Sequence, residues 1–322
     1  MAVGLKTEVP GVDPTNLVVI MSDEHDPRYM GWMGHPLVKT PNIDGLAARG
    51  RRFVNAYTPC PICVPARASF ATGCYVHQTG YWDNAIAYDG RIPSWGHALQ
   101  TAGVRVESIG KLHYKDDEMP TGFDRQHQPM HIYNSHGMVW GSIRDPLPDV
   151  PVDHRMVGDY VGPGESPYTD YDRTTAQIAA SWFAEHAKDA GPWVLYIGFV
   201  APHFPFIVPQ PYFDMYPLDR LPPRKLDPGR GYRQHPWLAA QDRFWPHDQM
   251  FRDEEERLRA VAAYFGLCSF LDSNVGIVLD GLERSGLAAQ TRVIYTSDHG
   301  DTLVHGACGG KATSTRNPSR SP

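Results

Sequence analysis

Cys63 and Arg67 stand four residues apart in Cys63-Val64-Pro65-Ala66-Arg67, the spacing of one helical turn. Pro65 suits the first turn of a helix, where its missing N–H would have had no intrahelical partner. The thiol is therefore expected at a helix N-terminus, where backbone donors and the helix dipole favour negative charge. Arg67 can reach back to the same point. Cys60-Pro61-Ile62-Cys63 also reads as a C-x-x-C redox or zinc motif. That alternative is weak, because there is no second C-x-x-C and no thioredoxin-like context.

Four further clusters combine acids, histidines and a lysine. They are Ser22-Asp23-Glu24-His25, Gly110-Lys111-Leu112-His113, Ala201-Pro202-His203-Phe204-Pro205 and Ser297-Asp298-His299-Gly300-Asp301. Taken singly, Asp23 or Asp298 reads equally well as a loop carboxylate or a helix cap. A lone His113 or His203 is more often structural than catalytic. Together they describe two chemistries. Asp23 and Asp298 with His299 suit a divalent cation that prefers oxygen with some nitrogen: Ca²⁺, Mg²⁺ or Mn²⁺. Lys111, His113 and His203 suit a tetrahedral oxyanion such as sulfate or phosphate. A metal beside an anion site describes hydrolysis of an anionic ester.

The elements that must position these clusters are legible. Each cluster follows a short apolar run, at residues 17–21, 104–109, 193–200 and 292–296, with the character of a buried parallel strand. Helical patterns lie between them at 41–47, 66–72, 94–101, 174–187 and 253–285. In the last, Val261, Tyr264, Phe265, Cys268, Leu271, Val275, Val278 and Leu282 keep the spacing of one buried face. Alternating strands and helices predict an α/β fold, a doubly wound and mostly parallel sheet flanked by helices. In such sheets ligands bind beyond the carboxyl ends of the strands, where all four clusters fall. Residues 114–164 and 204–249 are too long for ordinary connections. They read as insertions forming lids or substrate walls, or as surface decoration. The aromatics of the second, Tyr212, Phe213, Tyr216, Tyr232, Trp237, Phe244 and Trp245, could stack on a ligand or cage a quaternary ammonium. Packing of the insertion's own small core is the favoured reading.

Composition narrows the partners. Thirty Lys and Arg against 36 Asp and Glu give a formal net charge of −6, which excludes a broadly basic nucleic-acid coat. Hydrophobic residues at 42% support a large core. Residues 1–14 hold no signal-peptide core, and no window suggests a membrane span, so a cytoplasmic protein is expected. Five cysteines, an odd number in 322 residues, argue against a disulfide framework.

C-x-P-x-R followed by A-S-x-x-T-G, at residues 63–73, resembles the signature of type I sulfatases in the alkaline-phosphatase-like superfamily. The resemblance extends through NLVVIMSDEH, TPNIDGLAARG, FVNAYTPCPICVPARASFATG, HQTGYWDN, IGKLHY, APHFP and SDHGD. It is nearest to the choline-sulfatase and phosphonate monoester hydrolase branch. It implies that Cys63 is oxidised to formylglycine, a geminal diol nucleophile, by a formylglycine-generating or equivalent enzyme. It implies that Asp23, Asp298, His299 and an oxygen of that diol hold one divalent cation, Ca²⁺ first, with Mn²⁺ or Mg²⁺ as alternatives. Glu24 is a further candidate ligand, since relatives carry Asp or Gln there. Arg67 would hold the diol, while Lys111, His113, His203 and Lys311 would bind sulfate or assist the leaving group. One diol oxygen then attacks sulfur and expels the alcohol, and the second hydroxyl collapses to the aldehyde to release sulfate. The expected substrate is a small-molecule sulfate ester. Phosphonate monoester or phosphodiester hydrolysis on the same scaffold, and a non-catalytic pseudoenzyme, are the alternatives.

After Leu303 the resemblance stops. Residues 304–322 show no helical or strand periodicity and read as a disordered terminus or, preferably, as the product of a frameshift. One inserted G after the Leu303 codon, with suitable synonymous codons, restores a family-like continuation of about twenty residues. Gly310 and Lys311 are the same in both frames. The expectation is a catalytic domain at 1–303, a non-native tail carrying Cys308, and a missing C-terminal subdomain. Impaired stability and activity would follow, with homo-oligomers reserved for the full-length form.

Overall fold

The first apolar run forms β1 (Asn16–Asp23), and the period of two along it sends alternate side chains to opposite faces. Val18 and Ile20 pack into one core cluster while Val19 and Met21 pack into another. A strand buried on both sides needs a layer on each side, and the remaining elements supply them. The computed structural model describes residues 16–132, 146, 157–223, 231–236, 239, 250–301 and 303.

Helices α1 (Pro41–Arg49), α2 (Cys63–Thr72), α3 (Val76–Thr79) and α4 (Trp95–Thr101) follow β1. Then come β2 (Arg105–Lys111), β3 (Arg125–Met130), β4 (Gly162–Pro163) and α5 (Pro167–Glu185). The order continues with β5 (Trp193–Pro202), β6 (Ile207–Val208), α6 (Gln210–Phe213), α7 (Glu254–Arg284) and β7 (Thr291–Ser297). Five strands pair in the order β3-β2-β5-β1-β7, every pair parallel. The short β4 and β6 pair separately. Helices α5 and α7 cover the face of Val18, Ile20, Leu195 and Ile197, whereas α2 lies on the face of Val19, Met21 and Tyr196. This is the doubly wound parallel sheet that the alternation of elements predicts.

The differences from the sequence reading are local. β3 was not anticipated: its sequence, Arg-Gln-His-Gln-Pro-Met, lacks an apolar run because it is an edge strand with no fully buried residue. It also means that the 114–164 stretch, read as an insertion, contributes a strand to the central sheet. Helix α5 begins seven residues before the expected 174, because Ser166 caps it by accepting from Thr169 N at 3.2 Å and Pro167 occupies its first turn. Helix α7 is long and apolar enough to cross a membrane by composition, but 89% of its most apolar window is buried inside the fold. Of the aromatics at 204–249, Tyr212 meets Phe270 and Tyr216 meets Phe265 edge-on, while Phe213 lies partly buried against the same core. These three pack on α7. Trp237, Phe244 and Trp245, like the 304–322 segment with Cys308 and Lys311, lie outside the described residues.

One backbone feature shapes the middle of the sheet. Gly110 has φ 87°, and a Cβ there would sit 2.3 Å from the Gly198 carbonyl oxygen. Only glycine permits this close, left-handed kink. The β2–β3 register shifts between Ile109 and Lys111, and the kink turns the chain just before Lys111, the last residue of the strand, which pairs with Met130.

Candidate active site

The parallel ladder brings the carboxyl ends of β1, β2, β5 and β7 to one edge. On that edge the β1–β7 register runs to Ser22 opposite Ser297, so Asp23 and Asp298 emerge side by side. Asp298 N donates to the Ser22 carbonyl at 3.3 Å, and Glu24 N donates to Asp298 Oδ1 at 3.2 Å. Glu24 holds φ 66° and His113 φ 59°, left-handed values that non-glycine residues seldom adopt. Both are candidate site residues at strand ends, where such strain concentrates.

Helix α2 aims its first residue at this edge. Cys63 is fully buried, its Sγ 3.5 Å from Asp23 Oδ1 and 3.4 Å from His299 Nε2. Pro65 lies in the first turn of the helix, as its chemistry predicted, and Arg67 lies one turn on. Arg67 Nε donates to Asp298 Oδ2 at 2.8 Å and its Nη2 donates to Asp23 Oδ2 at 3.2 Å. Its Nη1 donates to the Lys111 carbonyl at 3.0 Å and to the Tyr196 hydroxyl oxygen at 3.1 Å. Lys111 Nζ reaches Asp23 Oδ2 at 2.5 Å. Burial works against ionisation of Asp23, yet Lys111, His203, Arg67 and His299 outweigh it and hold the carboxyl well below the usual range. Burial likewise opposes the charge of Arg67, and Asp298, Tyr196 and Asp23 overcome it. Asp23 is thus held ionised, and the guanidinium is locked between it and Asp298.

Asp23, Asp298, His299 and Cys63 each offer a donor atom, and these atoms lie within 4.8 Å of one another. Donors arranged around an ion at about 2.4 Å stand at most about 4.8 Å apart, so the cluster has the dimensions of one cation site. Two carboxylates and an imidazole fit a hard divalent ion, and an oxygen in place of the Cys63 sulfur would fit it better. Glu24 belongs to a second such group with Asp23, Cys63 and His203. His203 Nδ1 donates to the Phe204 carbonyl at 2.5 Å, and its Nε2 faces Glu24 Oε1 at 3.6 Å. His113 stands at the end of β2, its amide donating to the Met130 carbonyl at 2.8 Å. Cys60 and Cys63 are both free thiols, so the C-x-x-C is not closed as a disulfide.

Two residues of the site escaped the sequence reading. Asn84, in Trp82-Asp83-Asn84, accepts from Val64 N at 3.2 Å and so abuts the turn that carries Cys63. Tyr196 lies inside the apolar run of β5, and only its hydroxyl against Arg67 reveals a role. The YWDN string held the signal for Asn84; nothing in the run 193–200 marked Tyr196.

Comparison with known proteins gives the family and the fold. The family model described as Sulfatase matches residues 15–322. Choline-sulfatase from Rhizobium meliloti is 29% identical over 301 residues, covering 89% of this chain and 58% of that protein. Human iduronate 2-sulfatase is 28% identical over 329 residues, covering 94% and 58%. The phosphonate monoester hydrolase of Agrobacterium radiobacter has the same fold, with TM-score 0.70 at 22% identity over 90% of this chain and 63% of its own. The chain therefore spans somewhat more than half the length of the curated relatives it matches.

Proposed function

Because the chain belongs to the sulfatase family, we propose that this strand-end site hydrolyses sulfate esters with Cys63, as formylglycine, in the nucleophile position. The observation that carries the reading is the placement of buried Cys63 against both Asp23 and His299, with Arg67 and Lys111 on the same Asp23 carboxylate.

Formylglycine at 63 supplies a geminal diol, one hydroxyl to attack sulfur and a second to release sulfate by returning to the aldehyde. Asp23, Asp298 and His299 would hold a divalent cation, Ca²⁺ first, which lowers the pKa of an oxygen bound to it. Arg67 fixes Asp23 and Asp298 relative to each other and keeps the first turn of α2 in register with the strand ends. Lys111 brings positive charge to the side where a sulfate oxygen would gather negative charge. His203, with Nδ1 committed to the Phe204 carbonyl, presents Nε2 toward the site and serves the leaving oxygen. His113 stands beside Lys111 at the end of β2, and Lys311 is assigned to sulfate on the family motif alone.

The test is a chain co-expressed with a formylglycine-generating enzyme. Mass spectrometry of the Cys63 peptide should show a loss of about the mass of one water. Turnover of 4-nitrophenyl sulfate should exceed that of phenyl phosphonate monoesters, and Cys63→Ala should abolish it while the far-ultraviolet spectrum is kept. Preference for the phosphonate would establish the alternative hydrolase on this scaffold. Formylglycine present with neither activity would establish a pseudoenzyme.

A further inference from the structure

Helix α5 packs its first three turns across the ends of the strands that carry the site. Tyr171 Oη donates to the Gln128 carbonyl of β3 at 2.6 Å, and a Cβ on Gly110 of β2 would lie 2.9 Å from Thr175 Cγ2. Among its buried polar groups Asp172 is fully inaccessible, as is Thr175. Asp172 Oδ1 accepts from Val200 N at 2.8 Å and Oδ2 accepts from Ala201 N at 2.7 Å. These amides lie where the β5 ladder gives out: pairing with β2 runs to Gly198, and pairing with β1 shifts register before Asp23 meets Pro202. Buried amides beyond a ladder need another acceptor, and one carboxylate takes both. Two residues further on stands His203. One turn back along the same helix face, Tyr168 sets its ring edge-on to the His203 imidazole, centroids 6.2 Å apart at 83°. Phe204 covers another side of that ring at 4.1 Å.

We infer that Asp172 and Tyr168 are positioning residues for His203, Asp172 by clamping the backbone before it and Tyr168 by bracing its ring. The inference rests on the reading of the site as a sulfatase in which His203 serves the leaving group. As a formylglycine oxygen bonds to sulfur and the S–O bond to the alcohol breaks, the electron pair stays on the leaving oxygen, the Nε2 proton of the imidazolium passes to it, and His203 is left neutral. Neither residue belongs to any motif that marks the site. A carboxylate buried so completely has burial as its main cost, and that cost raises its pKa to about 7 despite the two amides. The two amides it holds account for its place at this point of the helix.

A positioning role differs from a structural one in its dependence on the leaving group. Proton transfer matters most for a poor leaving group, so phenyl sulfate should suffer more than 4-nitrophenyl sulfate. In the formylglycine-bearing, calcium-loaded chain, Asp172→Asn should lower kcat on phenyl sulfate by about tenfold or more, with a much smaller loss on the nitrophenyl ester. Tyr168→Ala, at a residue 37% exposed and therefore safe for the fold, should show the same pattern more weakly, and Tyr168→Phe should restore wild-type behaviour. In a His203→Ala background Asp172→Asn should cost no more than about twofold further. Equal losses on both esters, or losses that multiply in the double variant, overturn the inference. A separate arm needs no turnover: the His203 ring resonance in histidine-labelled protein should move in Asp172→Asn and in Tyr168→Ala. An unmoved resonance overturns the inference by itself. A chain inactive on both esters with the resonance displaced removes the sulfatase reading and leaves the positioning contacts standing.

Discussion

Arg67 Nε donates to Asp298 Oδ2 at 2.8 Å, joining residues 231 positions apart. The same guanidinium reaches Asp23, so one side chain ties the nucleophile's helix to two strand ends. None of the three is accessible to solvent, and each charge is tolerable only because the others are present.

Arg67→Met should therefore destabilise the fold by about 3–5 kcal/mol, since it leaves two buried carboxylates with only Lys111 and the histidines for compensation. Urea unfolding with and without calcium is the measurement. The loss should be larger without calcium, because a bound cation takes over part of the neutralisation. A loss under about 1 kcal/mol in both conditions would show that the acids do not depend on Arg67.

Chelation should lower the melting temperature, and calcium should restore it in proportion to the logarithm of its concentration. At 100 times its dissociation constant a single cation adds about 2.7 kcal/mol. Asp298→Asn and His299→Ala should each abolish the calcium-dependent increment. An increment that survives in both variants would place the ion elsewhere.

His25 gives the fold a dependence on pH. Burial is the largest influence and depresses its pKa to about 4, although the Tyr29 carbonyl and Asp26 work the other way. An unfolded histidine titrates near 6.5. The unfolded chain thus binds the proton first as pH falls. The stability owed to neutral His25 is complete above about pH 6.5 and is lost as pH falls towards 4. The full gap is worth on the order of 3 kcal/mol. The ring is fully enclosed, with Nε2 3.3 Å from the Tyr29 carbonyl and Nδ1 2.6 Å from the Tyr295 hydroxyl oxygen. Between pH 7.5 and 5, wild type should lose about 2 kcal/mol in urea unfolding, and His25→Gln should lose much less. Parallel losses in the two proteins would remove His25 as the cause.

Gly110→Ala should damage stability and activity together. The left-handed φ costs about 1–2 kcal/mol for alanine. The Gly198 carbonyl, 2.3 Å from the new Cβ, forces β2 and β5 apart. Because Lys111 follows directly, kcat should fall even at temperatures where the variant is folded. Alanine tolerated with normal kcat would mean that the kink is not what aims Lys111.

The sequence by itself determined which segments become strands and what stands at their ends. The four runs fold as β1, β2, β5 and β7; β1 and β5 are almost wholly apolar because inner strands are covered on both faces, whereas β7 is an edge strand with no fully buried residue. The placement of Asp23, Lys111, His203 and Asp298 at one sheet edge was equally legible, since each follows a strand and such edges are where these sheets bind ligands. Pro65 fixed the start of α2 and so the position of Cys63. The tertiary structure alone decided the rest. β3 is polar because an edge needs little apolar burial, so no periodicity announced it. Tyr196 looks like any core residue in its run until its hydroxyl meets Arg67. Asp172 looks like a surface acid of an amphipathic helix until the β5 ladder ends beneath it with two amides to satisfy. Spacing along a chain reports periods of two and 3.6 residues. The convergence of Cys63, Asp23 and His299, separated by up to 276 positions, is set by strand order and register, and these emerge only when the sheet closes.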